Sequence, residues 1–223
     1  MHIQHKLSIE LNKFSKWIKV SEDDIAKGRQ LGHYICNLIE KYGEFKTDRI
    51  LFGGSFGKGT STFLKVDVDI TIFVNWPEEM KLEFRRDECL LEILGWVKQD
   101  WKKVLMEHTH LSEKDFRGRN AVKFTLQNFQ FDLCPGINVS RDSRQQAIKF
   151  RQIYQFPVDI SKMGVPHTTA ISYSKSESSF EFVMKQSEYV KDLCRLTKFW
   201  QQGIPCIEYK SGRSFLFEVI AIR

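Results

Sequence analysis

Proline and cysteine are scarce in this chain of 223 residues, at 5 each, and glycine contributes only 13. So little of either turn former excludes collagen-like and linker-dominated chains. The cysteines (Cys36, Cys89, Cys134, Cys194, Cys206) are odd in number and none stand at Cys-x-x-Cys spacing, so neither a zinc knuckle nor a disulfide framework can be drawn. They read as reduced, mostly buried thiols. The opening segment MHIQHKLSIELNKFSKWIKV lacks the apolar run of about 7 or more residues that a signal peptide needs, and it falls far short of a membrane span. The expectation is a soluble, cytoplasmic protein. Internal repeats and low-complexity tracts are also missing.

What is present is enough apolar material for one sizeable core or two small ones: 42% hydrophobic residues, with 18 Phe, 6 Tyr and 5 Trp. Lys and Arg number 34 against 28 Asp and Glu, a formal charge of +6. That excess favours a polyanionic partner, either nucleic acid or a nucleotide.

Periodicity supplies the elements. Ser21-Glu22-Asp23-Asp24 reads as a helix cap with acids in the first turn, followed by Ile25, Leu31, Ile35, Leu38 and Ile39 at helical spacing, so a helix is expected over 21–42. RILF (49–52) reads as a short strand leading into GGSFGKG. In VDVDITIFV, Val66, Val68, Ile70, Ile72 and Val74 alternate with Asp67, Asp69 and Thr71, which predicts a strand carrying two carboxylates on one face. A helix is expected over 78–107. A hairpin follows, with runs 121–126 and 129–133 around Gln127-Asn128, and Cys134-Pro135-Gly136 is expected to end its second strand. Past Pro157 the pattern turns to helix and loop. In 188–202, Val190, Leu193, Cys194, Thr197 and Trp200 fall on one side and Lys191, Arg195 and Lys198 on the other, a basic stripe that would neutralise a triphosphate across a cleft between two lobes.

The glycine-rich stretch is not a P-loop. G-x-x-x-x-G-K-[ST] would need glycine where Phe52 stands and a hydroxyl residue where Gly59 stands. A dinucleotide fingerprint fails too, because Thr62 occupies the third glycine position. His108 and His110 form an H-x-H with no acidic or thiol partner at ligand spacing, and read as a surface loop. What remains is a strand, Gly53-Gly54-Ser55, 11 intervening residues, Asp67-x-Asp69 on a second strand, and an isolated Asp132 on a later one. Carboxylates at i and i+2 share one face of a strand and suit divalent metal ions, and a glycine turn just ahead offers backbone N–H groups to phosphates. Together they point to phosphoryl or nucleotidyl transfer.

GGSFGKGTSTFLKVDVDITIFV, with FQFDLCP and CRLTKFW further on, resembles the 2′-5′-oligoadenylate synthetases of the polymerase-β-like nucleotidyltransferase superfamily, along nearly the whole chain. The resemblance implies an α+β fold: a mixed sheet with flanking helices forming a catalytic lobe over 1–158, and the beginning of a helical C-terminal lobe over 159–223. The implied activity is template-independent polymerisation of ATP into 2′-5′-linked oligoadenylates with release of pyrophosphate. Activation by double-stranded RNA and a place in innate antiviral sensing come with it. Position by position, Gly54 and Ser55 would hold the triphosphate, Asp67, Asp69 and Asp132 would ligate two Mg²⁺ ions, and Arg195 and Lys198 would contact donor ATP. Phe215 stands where the family stacks a tyrosine on the donor adenine, and Ser214 replaces its glutamine, which removes one hydrogen-bond handle. Lys58, Lys16 and Lys19 are the candidates for RNA, on a monomeric protein. Cyclic dinucleotide synthesis within the same superfamily, or a catalytically impaired RNA-binding relative, are the alternatives.

Overall fold

The computed structural model describes residues 2–63, 66–75, 87–118, 120–137 and 176–202. Within them the order is α1 (His2–Trp17), α2 (Glu22–Tyr42), β1 (Thr47–Phe52), α3 (Gly54–Lys58), β2 (Asp67–Val74), α4 (Asp87–His108), β3 (Val122–Leu126), β4 (Phe129–Ile137), α5 (Ser176–Met184) and α6 (Glu188–Gln202). The strands form one mixed sheet in the order β1-β2-β4-β3, with β2 and β4 parallel and both outer pairs antiparallel.

The cap foreseen at Ser21 starts α2: the Ser21 Oγ accepts the Asp24 N–H at 3.1 Å, and Glu22, Asp23 and Asp24 place negative charge against the helix dipole. From α2, Ile35, Cys36 and Ile39 bury themselves against the sheet, beside Ile93, Val97, Trp101 and Leu105 of α4 and the strand residues Val68, Ile70, Ile72, Phe131 and Leu133. Each such aliphatic side chain contributes about 1.5–3 kcal/mol of burial. The approach of α2 depends on Gly28 and Gly32, one turn apart. A Cβ at Gly32 would stand 2.5 Å from Phe52, and one at Gly28 would stand 2.9 Å from Phe56. Phe52, just ahead of the glycine-rich stretch, and Phe56, within it, thus tuck beneath α2 and hold that stretch to the sheet.

The hairpin is as expected at its turn. Gln127 and Asn128 both take positive φ, 48° and 70°, the backbone that matches strand twist in a two-residue loop. The expected stop at Cys134-Pro135-Gly136 is corrected: β4 runs through all three to Ile137, paired with β2 up to Val74. Pairing with β3 ends at Leu133, so on that edge Pro135 costs no ladder bond, and a proline is tolerated where one edge of a strand is unpaired. Of the helix expected over 78–107, the part from Asp87 onward is described and helical.

The second face of the sheet is covered by α5, an element the sequence pattern did not single out. Arg49 of β1 makes a two-pronged pair with Glu177, Nε to Oε1 and Nη2 to Oε2 both at 2.8 Å, and its guanidinium lies 4.0 Å above the Phe73 ring. Ser176 donates to Thr71 Oγ1 at 3.3 Å. These contacts cover Thr71 and Phe73 while Asp67 and Asp69, at the start of β2, stay half-exposed. The helix α1 docks at the exit of the glycine stretch, where Ile18 O accepts the Phe63 N–H at 3.0 Å, and Phe14 and Trp17 meet Phe63 and Phe199 of α6 ring to ring. No helix among the described residues is long and apolar enough to cross a membrane.

Candidate active site

Asp67 and Asp69 lie two residues apart on β2, and the parallel register puts Asp69 directly beside Asp132 of β4. Residues paired across a ladder point to the same face, so the three carboxylates that sequence alone scattered over 66 positions share one patch of sheet. The glycine stretch is pinned onto that patch. The Gly53 N–H donates to the Asp69 carbonyl at 2.8 Å, and Gly54, at φ +55°, passes so close that a Cβ there would stand 1.7 Å from Asp69 Oδ2. The expected loop is a single helical turn, α3, closed by the Gly57 N–H to Gly53 O at 2.8 Å and the Thr60 N–H to Ser55 O at 2.9 Å. Ser61 donates to Ser55 Oγ at 3.0 Å, which orients that hydroxyl beside Gly54.

Arg195 and Lys198 come to the other end of the same turn. On α6 the buried positions are Cys194, Arg195 and Lys198, Arg195 at 1% exposure, and the placing of Trp200 on the packed side is corrected, since it is 62% exposed. The buried guanidinium is tolerated because it is paired, to Glu188 and Asp192 on its own helix and to the Gly59 carbonyl. Lys198 Nζ donates to Thr60 Oγ1 at 2.9 Å. Both cations therefore clamp α6 onto the exit of the glycine turn. Burial works against the Glu188 charge, but the hydrogen bond and attraction of Arg195, with help from Lys19 and Lys191, hold its carboxyl below the usual glutamate range.

Lys123 is the residue that the sequence reading missed. It is the cross-strand partner of Asp132, and its ammonium contacts Asp132 Oδ2. Burial opposes its charge, yet the hydrogen bond to Asp132 and the attraction of Asp132 and Asp69 win and raise its pKa. A signal was available: a two-residue turn at Gln127-Asn128 pairs Leu126 with Phe129 and, three steps further, Lys123 with Asp132.

The chemistry of these donors suits a hard divalent ion, since all three are carboxylates on one face. Asp132 Oδ1 points the same way: it is buried and has no hydrogen-bond partner among the described residues, a state that favours a cation. As the side chains stand, no three His, Cys, Asp or Glu among the described residues are gathered as a metal cluster, and Lys123 occupies one oxygen of Asp132.

Of the RNA candidates, Lys16 and Lys19 are exposed, with Lys19 3.8 Å from Glu188. Lys58 is only 7% exposed on α3, so its side chain is not offered to a duplex at the surface. His108 closes α4 and stacks on Tyr42 at 3.8 Å, with His110 exposed beyond it. Cys36, Cys134 and Cys194 are buried free thiols, as expected of them. Phe215 and Ser214 lie outside the described residues, as does the expected boundary at 158.

The same architecture occurs in solved enzymes. A CdnE c-di-GMP synthase from Capnocytophaga granulosa superposes with a TM-score of 0.56 at 13% identity, over 93% of this chain and 61% of that one. CdnC of E. coli MS115-1, in complex with HORMA-deltaN, gives 0.53 at 14% identity over 97% and 62%. The fold is that of the polymerase-β-like nucleotidyltransferases. A stretch of 97 residues is also 33% identical to a CCA-adding enzyme of Sulfurisphaera tokodaii, covering 43% of this chain and 22% of that protein. No protein-family model matches the chain. The polymerase-β-like unit described here thus spans about three fifths of the two synthases and about a fifth of the CCA-adding enzyme.

Proposed function

We propose that this chain carries the catalytic centre of a nucleotidyltransferase that joins nucleoside triphosphates with release of pyrophosphate, ATP being the substrate and a 2′-5′-linked oligoadenylate the product to which its sequence resemblance points. The observation that carries this reading is the register of β2 against β4, which sets Asp69 beside Asp132 with Asp67 on the same face, under a glycine turn hydrogen-bonded to Asp69 itself. In such a reaction a ribose hydroxyl oxygen bonds to the α-phosphorus, the bond from that phosphorus to the bridging oxygen breaks, and pyrophosphate leaves. The hydroxyl proton goes to a carboxylate of the cluster, with Asp132 the candidate acceptor.

Asp67, Asp69 and Asp132 would hold the two divalent ions of this chemistry, which when bound neutralise the triphosphate and favour ionisation of the attacking hydroxyl. Gly54 and Ser55 are assigned to the triphosphate, because the turn they open lies against Asp69 and its missing Cβ leaves room for close backbone approach. Arg195 and Lys198 hold the far end of that turn, and Lys198 adds positive charge behind it. Lys16 and Lys19 are the exposed cations left for a nucleic-acid activator, and binding there would weaken steeply with salt.

A cyclic dinucleotide product is the second reading. It is favoured by the shared fold with the c-di-GMP synthase and with a c-UMP-AMP synthase of Rhodothermus marinus, TM-score 0.50 at 15% identity over 94% of this chain and 73% of that one. The test is pyrophosphate release from each nucleoside triphosphate and from their mixture with Mg²⁺, with and without double-stranded RNA. Wild type and Asp69→Ala are compared. Loss of release in Asp69→Ala supports the assignment, and product mass with resistance to phosphatase separates ring from chain. No release under any condition would sink it.

A further inference from the structure

The Lys123–Asp132 contact is not explained by nucleotidyl transfer as such. One oxygen of Asp132 is held by an ammonium and the other is buried with no partner among the described residues, so a divalent ion finds neither oxygen open to it. The lysine is built into this position. Its Cα is locked opposite Asp132 in the hairpin ladder, and backbone bonds on its other side fix it to Arg117, Arg117 N–H to Lys123 O at 2.8 Å and Lys123 N–H to Arg117 O at 3.0 Å. The side chain itself is not trapped. It is 40% exposed against 11% for Asp132, and four methylenes allow the ammonium to swing into water while the backbone stays in register. Three carboxylates on one patch repel one another, and both Asp132 and Asp69 attract this ammonium.

We propose that Lys123 is a resident counter-cation of the aspartate cluster, one that a divalent ion must displace from Asp132 in order to bind. The inference rests on the metal-binding reading of Asp67, Asp69 and Asp132. It makes Lys123 a residue that sets metal affinity: the charge that steadies the three carboxylates is also a competitor for them. A charge-assisted hydrogen bond of this kind, once removed from the competition, is expected to shift affinity by about tenfold or more.

The test is Mn²⁺ binding to the whole chain, read as the loss of the free-ion paramagnetic resonance signal, together with thermal unfolding in a chelator and in Mn²⁺. Lys123→Met, which keeps the stem and removes the charge, should bind Mn²⁺ about tenfold more tightly than wild type. It should unfold at lower temperature in the chelator, with the deficit recovered by Mn²⁺. Lys123→Arg should bind as weakly as wild type, and Lys27→Met, an equal charge change at an exposed site on α2, should not move the affinity. Should Lys123→Met fail to fold, Lys123→Gln carries the same expectation. Unchanged or weaker Mn²⁺ binding in the uncharged variants, with wild type binding normally, overturns the proposal alone. If wild type does not bind Mn²⁺, or Asp69→Ala and Asp132→Ala bind it as wild type does, the metal-site reading falls and the proposal falls with it.

Discussion

A single methyl group added at Gly54 addresses both the strain and the geometry of the site. At φ +55° an L-residue pays about 1–2 kcal/mol for the left-handed backbone. Sterics are the larger matter, because the new Cβ would lie 1.7 Å from Asp69 Oδ2 and 2.5 Å from its Cγ. Carbon–carbon contacts relax at roughly 3.5–4.0 Å, so the carboxylate has to retreat by about 1 Å or more. A misplacement of that size at a reacting centre is worth about 10²-fold in rate. Gly54→Ala is therefore expected to lose about 100-fold in pyrophosphate release and about 1–2 kcal/mol in urea unfolding. Gly59 supplies the matched control. It also has positive φ, +71°, but a Cβ there meets nothing within 4 Å among the described residues, so Gly59→Ala should share the strain and keep turnover within about twofold. Full activity in Gly54→Ala, or an equal loss in Gly59→Ala, would refute the argument that the turn acts by clearing space for Asp69.

Gly95 sits inside α4 with open space, among the described residues, where its Cβ would be, so Gly95→Ala should stabilise the protein by about 0.5–1 kcal/mol, read from the urea midpoint. The Glu188 carboxyl is held below its ordinary range chiefly by Arg195, against the cost of burial. Its contribution is complete above the unfolded glutamate pKa and is lost as the pH falls through the folded one. Acidification should thus weaken the α6 clamp in wild type and have less effect in Glu188→Gln, as followed by hydrogen exchange over Arg195–Lys198. Burial, reinforced by Glu40, pushes the Cys36 thiol up to about 12, so in native protein at pH 8 it should resist thiol reagents and react only on unfolding. Modification of Cys36 at the rate of an exposed thiol would contradict that burial.

Local signals carried α2, β2 and the hairpin because each has its cause nearby: a serine cap, strict alternation, a two-residue turn. The same rule explains the error on α6. Periodicity sorted Trp200 as inward with Val190 and Leu193, whereas it is exposed, and could not show that Arg195 is buried among its own Glu188 and Asp192 and a carbonyl 136 positions away. Those two acids on the arginine's face were a signal that a charged position could be paired internally. The Gly59 partner was not, since nothing local to α6 names it. Likewise the stop at Pro135 was a local inference, undone by a parallel partner strand that the hairpin pattern does not contain.

The sequence by itself determined the kinds of group in the site: three strand aspartates, a glycine turn just upstream, and, through hairpin register, a lysine opposite one of the aspartates. Hairpin pairing is set by turn length, and strand faces by a period of two, so both are written in adjacent residues. Tertiary structure alone decided that Asp69 and Asp132 share a register, that Gly54 lies against the Asp69 carboxylate, and that α6 turns its cations inward onto the glycine turn. Each of these joins segments with no covalent reason to meet, and is fixed only when β2 and β4 pair side by side and the helices close over the sheet.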